Sequence, residues 1–306
     1  MSTLFKPEQI QGIVPPLVTP FTTDDKLDES ALRGTIRFML DQGVHGLVAG
    51  GSSGEGYTLS ADELARITEI AAEEIDGKVP LIAGVIANST RDAIIKTKAV
   101  ERLGISALQV TPAHYIYKTD DESMLRHFRE IAGETSVPIL IYNVIPWNYL
   151  SPGLLLRAMD EIPGVAGVKQ SAGDLKALAD LMIGAKPGNR IFAAVDSLLY
   201  PCMALGAHGI ISILTTAVPG AVLQLWNLVK RGDHAAALDL HERLLRLWNA
   251  IYADNRVATT KYTLALQGAP TGHTLRPVAA VTPKQQAAIR EALERIVPKE
   301  QLQKAA

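Results

Sequence analysis

The sequence predicts a (β/α)8 barrel followed by a helical extension, and three observations support this. Runs rich in Val, Ile, Leu and Ala recur eight times, and each is followed by a polar turn and a stretch of helical period. The runs are apolar throughout instead of alternating, as in parallel strands that are covered on both faces. These units fill about the first 230 residues, close to the roughly 250 residues of such a barrel.

The strands and helices of the barrel have recognisable starts. The predicted strands begin at Gly12, Gly46, Pro80, Ser106, Pro138, Val165, Arg190 and Gly209. Three of the following helices have N-terminal capping residues in Asp28, Ser60 and Asp120. An open doubly wound sheet is the alternative, but a dinucleotide-binding fold needs a glycine-rich turn after the first strand. That strand runs instead into Thr19-Pro20-Phe21, which favours the barrel.

The segment after the barrel has helical spacing and no further strand signal. Three amphipathic stretches begin at Ala235, Thr259 and Thr282. We therefore predict two units, a barrel over residues 1–230 and a C-terminal helical extension over residues 231–306.

The composition favours a folded protein with a small-molecule partner. Hydrophobic residues make up 47% of the 306-residue chain, which is ample for a core. Lys and Arg number 30 against 32 Asp and Glu, so there is no broad positive field to bind nucleic acid or an anionic membrane. The single cysteine, Cys202, excludes an internal disulfide and a thiolate zinc cluster, and we expect it in the core of the seventh helix.

We expect neither export nor a membrane span, and therefore a cytoplasmic protein. The N-terminal sequence MSTLFKPEQIQG lacks the apolar stretch of a secretory signal. Residues 197–229 contain no Asp, Glu, Lys or Arg and are long enough to cross a bilayer. However, Pro201, Gly206, Gly209 and Pro219 interrupt this segment, which favours a helix, a strand and another helix within a globular core.

The loop after the second strand, GGSSGEG at 50–56, is the first candidate site, because barrel active sites lie at the C-terminal ends of the strands. The spacing of a phosphate-binding P-loop is present, but Tyr57 stands where the lysine is needed. The loop also matches the nucleophile elbow of serine hydrolases, but the next helix begins only near Ser60. Ser52 and Ser53 can offer hydroxyls and backbone N–H groups to a carboxylate. The alternative is a tight turn without a ligand.

Two further candidates are Lys169 and Tyr142, at the ends of neighbouring strands. Partial burial of the Lys169 amine would lower its pKa and favour attack on a carbonyl carbon, as in a Schiff-base lysine. The Tyr142 phenol could move protons in the same site. The alternatives are a lysine that reaches solvent and a tyrosine with a structural hydrogen bond. The seven histidines form no His-Glu-x-x-His pair, so we expect no catalytic metal. A Schiff-base lysine reacts without an organic cofactor, so we expect none.

Six short motifs follow one another along the chain. They are VTPF at 18–21, GSSGE at 51–55, YNV at 142–144, GVK at 167–169, HGIIS at 208–212 and LRP at 275–277. In this order and at these intervals they resemble the dihydrodipicolinate synthase and N-acetylneuraminate lyase family of class I aldolases. The resemblance covers nearly the whole chain.

The resemblance implies a lyase that forms a Schiff base. Lys169 would form the imine with a 2-oxo acid, typically pyruvate, and Tyr142 would relay protons with the Ser52 hydroxyl. The protonated imine withdraws electrons, so the neighbouring carbon can lose a proton and become an enamine nucleophile. The reaction makes a carbon–carbon bond in one direction and breaks it in the other, and a suitable leaving group gives dehydration or deamination.

The resemblance also implies substrate-binding residues and marks departures from the family. The implied contacts are Gly51, Ser53, Ile211, Tyr115 and Asn148, of which Ile211 would act through its backbone. The family's arginine soon after the YNV motif is absent, and Trp147 and Asn148 stand in that region. A second substrate with a carboxylate that binds near Trp147 and Asn148 is therefore less favoured.

Other family positions also differ. The tyrosine that completes the proton relay across a dimer could be Tyr115 or Tyr117, or could be replaced by His114. The Glu that often follows the lysine is Gln170, and a glycine usual after the seventh strand is Val195.

We rank a lyase or aldolase for a 2-oxo acid first. The alternatives are 4-hydroxy-tetrahydrodipicolinate synthase, which condenses pyruvate with aspartate semialdehyde, and a 2-keto-3-deoxy acid dehydratase or deaminase. A non-catalytic sugar-acid-binding barrel ranks last. The resemblance implies a homo-oligomer, either a tetramer or a dimer.

Overall fold

Eight parallel strands form the centre of the protein. The computed structural model describes residues 5–303; the first four residues of the N-terminal segment and the last three of the predicted extension lie outside this range. Each strand begins within one residue of its predicted start. The strands are β1 (Gly12–Ile13), β2 (Leu47–Ala49), β3 (Leu81–Val85), β4 (Ala107–Val110), β5 (Ile139–Asn143), β6 (Val165–Gln170), β7 (Arg190–Ala193) and β8 (Gly209–Ile210).

The sheet closes on itself, which confirms the barrel. Its order is β1-β8-β7-β6-β5-β4-β3-β2, and all neighbours are parallel. Residues just after β1 complete the circle against β2, because Leu17 N–H donates to Val48 O at 2.8 Å and Val48 N–H donates to Pro15 O at 3.0 Å.

Helices surround the barrel and continue beyond it. They are α1 (Glu29–Asp41), α2 (Ala61–Ile75), α3 (Thr90–Val100), α4 (Asp121–Gly133), α5 (Pro152–Glu161), α6 (Leu175–Gly184), α7 (Leu199–Ala204), α8 (Ile213–Ala217), α9 (Pro219–Lys230), α10 (His234–Ile251), α11 (Arg256–Ala265) and α12 (Pro283–Leu293). Asp28, Ser60 and Asp120 cap α1, α2 and α4 as predicted, each accepting a backbone N–H of the first turn.

Apolar side chains fill two regions. A small inner cluster occupies the barrel itself, and a larger cluster lies between the strands and the helices. The uncharged segment 197–229 forms α7, β8, α8 and α9, as the proline and glycine positions predicted. Within residues 5–303, no helix combines the length and the apolar character that crossing a membrane requires. Cys202 is buried in α7, and burial raises the pKa of its thiol to about 12, so it stays protonated.

An irregularity between β5 and β6 determines which residues face each other near the barrel mouth. Ile139 pairs with Val165 but Leu140 pairs with Gly167, so Ala166 is an extra residue on β6. A one-residue shift reverses which face each later side chain points to. Gly167 also has no room for a side chain, since a Cβ there would lie 2.1 Å from the Arg190 carbonyl oxygen.

The predicted C-terminal extension is helical and packs against the barrel. Helix α10 contacts α7 and α9, and α11 contacts α8. These contacts join the two parts closely and mark no boundary between them, so the division at residue 230 remains a prediction.

Candidate active site

A cavity of about 670 Å³ opens at the C-terminal ends of the barrel strands. This is the end at which barrel enzymes place their active sites. The residues that line it follow or end six of the strands or belong to the C-terminal extension. They include Ser52, Ser53, Tyr142, Lys169, Asp196, Ile211, Trp248, Tyr252, Asp254, Arg256 and Thr260.

Lys169 and Tyr142 lie side by side in this cavity. They are direct partners in the β5–β6 pairing, and Lys169 Nζ lies 3.8 Å from the centre of the Tyr142 ring. The lysine side chain does not reach solvent, since the residue is only 3% exposed. Burial lowers the pKa of Lys169 from 10.5 to about 7, although the Asp196 charge opposes this shift. At neutral pH about half of the amine is therefore unprotonated and able to attack a carbonyl carbon.

The Tyr142 phenol is hydrogen-bonded to Ser52. The two oxygens are 3.3 Å apart, and either can be the donor. Burial raises the pKa of Tyr142 to about 12, so the phenol is protonated at neutral pH. The pair forms a route by which a proton could move between the lysine end of the cavity and the turn after β2.

The turn after β2 exposes groups suited to an anion. Ser52–Gly54 forms a short 3-10 turn, and both serines line the cavity. In the part of the chain that the structure describes, the backbone N–H groups of Ser52 and Ser53 donate to no protein acceptor. Gly51 does not line the cavity; its carbonyl accepts the N–H groups of Gly54 and Gly56 and so shapes the turn.

Ile211 lies against the cavity with its side chain in the inner core. Its backbone N–H already donates to Ala193 O at 3.0 Å. A backbone contact from Ile211 to a ligand therefore has to come from its carbonyl oxygen.

Two of the predicted substrate contacts lie away from this cavity. Asn148 is buried, but its side-chain amide donates to Ala113 O at 2.8 Å, so it fixes the loop after β4. Tyr115 is 76% exposed and does not line the cavity. Neighbouring Trp147 also turns to that loop, donating to His114 O at 3.0 Å. Within a single chain, neither Asn148 nor Tyr115 is placed to touch a ligand beside Lys169.

Asp196 is a site residue that the sequence analysis missed. It follows β7, lines the cavity and is only 5% exposed. Its carboxylate accepts the N–H groups of Leu214 at 2.6 Å and Ile213 at 3.3 Å, at the start of α8. Burial raises its pKa to about 6, against the effect of these hydrogen bonds. An acidic residue three positions after the end of a buried strand was the available signal.

The C-terminal extension forms one wall of the cavity, which was also missed. Trp248 and Tyr252 come from the end of α10, and Asp254, Arg256 and Thr260 from the connection to α11 and its first turns. Arg256 Nε donates to Ala253 O at 3.2 Å, and the guanidinium lies 4.7 Å from the Tyr252 ring centre. The sequence predicted these helices only as an extension beyond the barrel, because no motif linked them to the strand ends.

Known proteins match this chain over nearly its full length. The model of the dihydrodipicolinate synthetase family matches residues 9–296. The 4-hydroxy-tetrahydrodipicolinate synthase of Methanopyrus kandleri is 35% identical over 85% of this chain and 87% of its own. The enzyme of that name from Bradyrhizobium diazoefficiens is 33% identical over 93% of this chain and 96% of its own.

Solved structures share the fold. A prophage protein of the dihydrodipicolinic acid synthase family from E. coli K12, in complex with pyruvate, superposes with a TM-score of 0.88 at 26% identity, over 94% of this chain and 98% of that one. CdNal from Clostridium difficile, in complex with mannosamine, superposes with a TM-score of 0.85 at 27% identity, over 94% of this chain and 99% of that one.

The burial of Lys169 predicts that a Lys169→Met variant is more stable than the wild type. In the unfolded chain the amine has its ordinary pKa, so folding at pH 7 carries a penalty on the order of 3–5 kcal/mol that methionine avoids. Between pH 7 and 10.5 the unfolded wild type holds more protons than the folded protein, so raising the pH stabilises it and the advantage of the variant shrinks. Urea unfolding at several pH values measures this difference.

The control is Lys284→Met, which removes an exposed lysine on α12 and should change the free energy of unfolding by less than about 0.5 kcal/mol. A Lys169→Met variant no more stable than the wild type at pH 7 would show that the amine is not desolvated.

Proposed function

The chain belongs to the dihydrodipicolinate synthetase family, and on that premise we propose that it is a lyase that forms a Schiff base between Lys169 and a pyruvate-type 2-oxo acid. The observation that carries the proposal is the buried amine, with a pKa of about 7, beside the Tyr142 phenol. A desolvated lysine of this kind supplies the neutral nucleophile that imine formation needs.

In the first step, the Lys169 nitrogen attacks the C2 carbonyl carbon of the 2-oxo acid. The carbonyl oxygen leaves as water after taking up two protons, and the nitrogen becomes a protonated imine. We assign the transfer of these protons to the Tyr142 phenol and the Ser52 hydroxyl, which are 3.3 Å apart. Tyr142 can donate a proton at neutral pH because burial keeps its phenol protonated.

The carboxylate of the 2-oxo acid is proposed to bind at the Ser52–Gly54 turn. The two serines line the cavity, and their backbone N–H groups are directed to no protein acceptor in the described chain. Binding there would orient the C2 carbonyl towards Lys169, so that the amine attacks an already positioned carbon.

The imine then activates C3. Loss of a C3 proton gives an enamine, and this carbon attacks the carbonyl carbon of an aldehyde to form a carbon–carbon bond. The aldehyde oxygen takes up a proton, and water hydrolyses the imine to release the product and restore the lysine. The same steps in reverse cleave a 4-hydroxy-2-oxo acid into the 2-oxo acid and an aldehyde.

The second candidate is 4-hydroxy-tetrahydrodipicolinate synthase, and two observations favour it. The curated relatives described above have that name. In addition, Arg256 supplies a cation to the cavity lining from the C-terminal extension, whereas the lining residues that follow β5 include Val144, Pro146 and Tyr149, none of them cationic. We still rank it second because the family's arginine after the YNV motif is missing. A dehydratase or deaminase acting on a 2-keto-3-deoxy acid would use the same imine.

We further propose that the protein works in the cytoplasm as a homotetramer or a homodimer. The exposed Tyr115 and Tyr117 side chains support the oligomer, because they lie outside their own cavity and could face a second copy. The barrel over residues 1–230 and the helical extension would then fold as one catalytic unit.

The imine mechanism predicts that reduction produces a stable covalent adduct. Incubation with pyruvate followed by borohydride reduction should add a reduced pyruvyl group to Lys169, detected by mass spectrometry of the intact protein and its peptides. Tyr142→Phe should form the adduct more slowly, by a factor of about 10² or more, because it keeps the amine and loses the proton donor. No adduct with the wild type, or an undiminished adduct with Lys169→Met, would refute the mechanism.

The ranking of the two candidate reactions predicts a substrate preference. Release of pyruvate from a panel of 2-oxo-3-deoxy sugar acids should exceed the turnover of pyruvate with aspartate semialdehyde, measured with the same preparation. Faster turnover of aspartate semialdehyde would reverse the ranking while leaving the imine mechanism intact.

A further inference from the structure

A buried ion pair lies behind the Ser52–Gly54 turn. Glu55 Oε1 and Lys261 Nζ are 2.9 Å apart, and their side chains are 0% and 4% exposed. Glu55 immediately follows the turn, whereas Lys261 is on α11 of the C-terminal extension. The pair does not line the cavity and has no part in the chemistry described above.

Every polar hydrogen of the Lys261 ammonium group has an acceptor. Besides Glu55, Nζ donates to Thr19 O at 2.7 Å and to His273 O at 2.5 Å. The other Glu55 oxygen accepts the backbone N–H of Leu275 at 2.9 Å. One ion pair therefore joins the segment after β1, the turn after β2, helix α11 and the segment that follows α11.

The backbone at Glu55 needs such support. Its φ of +57° lies in the left-handed region, which is unfavourable for a residue with a side chain. Its N–H donates to Ser52 O at 3.1 Å, and Thr19 Oγ1 donates to the neighbouring Gly54 O at 2.7 Å. Glu55 is thus hydrogen-bonded through its backbone to the turn that carries Ser52 and Ser53, and through its side chain to Lys261 and the Leu275 N–H.

Stability alone is a weak reason for such a pair. Removing two charges from water costs free energy that their attraction often does not recover, and apolar residues of similar volume can serve as well or better. Burial accordingly lowers the pKa of Lys261 even though Glu55 acts in the opposite direction. What apolar packing cannot provide is a fixed set of directed hydrogen bonds at one point of the turn.

We propose that Glu55 and Lys261 are positioning residues that hold the Ser52–Gly54 turn in the geometry that binds the substrate carboxylate. This inference rests on the proposed function, because it assumes that a 2-oxo acid binds beside Lys169. It gives the C-terminal extension a second role, since α11 then holds the turn after β2 in place.

The test compares pyruvate with its methyl ester, which has the same reacting carbonyl and no carboxylate. The measured quantity is the ratio of the rates at which the two compounds are trapped on Lys169 by borohydride. Wild-type protein should favour pyruvate, and Glu55→Gln should lower this ratio about tenfold. The amide has a single oxygen, so either Lys261 or the Leu275 N–H loses its acceptor. A loss of folded protein would slow both compounds equally and leave the ratio unchanged.

Two further variants separate positioning from stability. Glu55→Gln combined with Lys261→Met removes both charges, so it should unfold at a higher temperature than Glu55→Gln alone while its ratio stays low. Glu74→Gln is the matched control, because Glu74 joins Arg33 and Arg37 on the outer helices, away from the cavity. It should lose stability and keep the wild-type ratio.

The outcomes separate this inference from the function on which it rests. If the wild type traps neither compound, the proposed function fails and the positioning role fails with it. If the wild type prefers pyruvate and the Glu55 variants keep that preference, the positioning role alone is refuted. If the wild type traps both compounds equally, the carboxylate contact at the Ser52–Gly54 turn is refuted together with the positioning role, whereas the imine on Lys169 is supported.

Discussion

The desolvation of a single amine, that of Lys169, is the constraint on which the rest of the site depends. An exposed lysine at neutral pH is almost entirely protonated, whereas a pKa of about 7 leaves about half of it as a nucleophile. Burial at the end of β6 produces this change, and the barrel provides it by surrounding the strand end with neighbouring strands and their loops. Burying the amine destabilises the folded state, and packing elsewhere in the protein has to offset this free-energy cost.

The groups around Lys169 enclose the amine, and one of them, Asp196, opposes the lowering of its pKa. Tyr142 covers the amine with its ring and keeps its phenol protonated beside Ser52. Asp196 is close enough to favour the ammonium form, but its own pKa is raised by burial, and its oxygens are directed to the backbone at the start of α8. The C-terminal helices complete the enclosure, since Trp248, Tyr252 and Arg256 form the outer wall. The extension therefore forms part of the candidate site.

The sequence predicted the elements of the barrel better than the relations between their side chains. Apolar runs located the strands and capping residues located helix starts, because these signals are local. The motifs predicted Lys169, Tyr142, Ser52 and Ser53 as site residues, and all four line one cavity. The extra residue Ala166 changes which face of the sheet the later side chains of β6 point to, and no feature of the local sequence predicted it. Asn148 was expected beside the ligand, yet it bonds to Ala113, since a side-chain direction depends on a loop distant in sequence. The contacts of Lys261 with Thr19 and Glu55 join residues more than 200 positions apart, so only the folded chain shows them.

The pH dependence of imine formation tests the central claim most directly. The rate at which pyruvate is trapped on Lys169 should be measured at low pyruvate concentration between pH 5 and pH 11, a window that spans both the ordinary lysine pKa of 10.5 and the lowered pKa of about 7. The rate should rise with pH and reach half of its plateau near pH 7, because only the neutral amine attacks. A rate that continues to rise towards pH 10 would mean that Lys169 keeps the ordinary lysine pKa, and would contradict the account of a desolvated nucleophile.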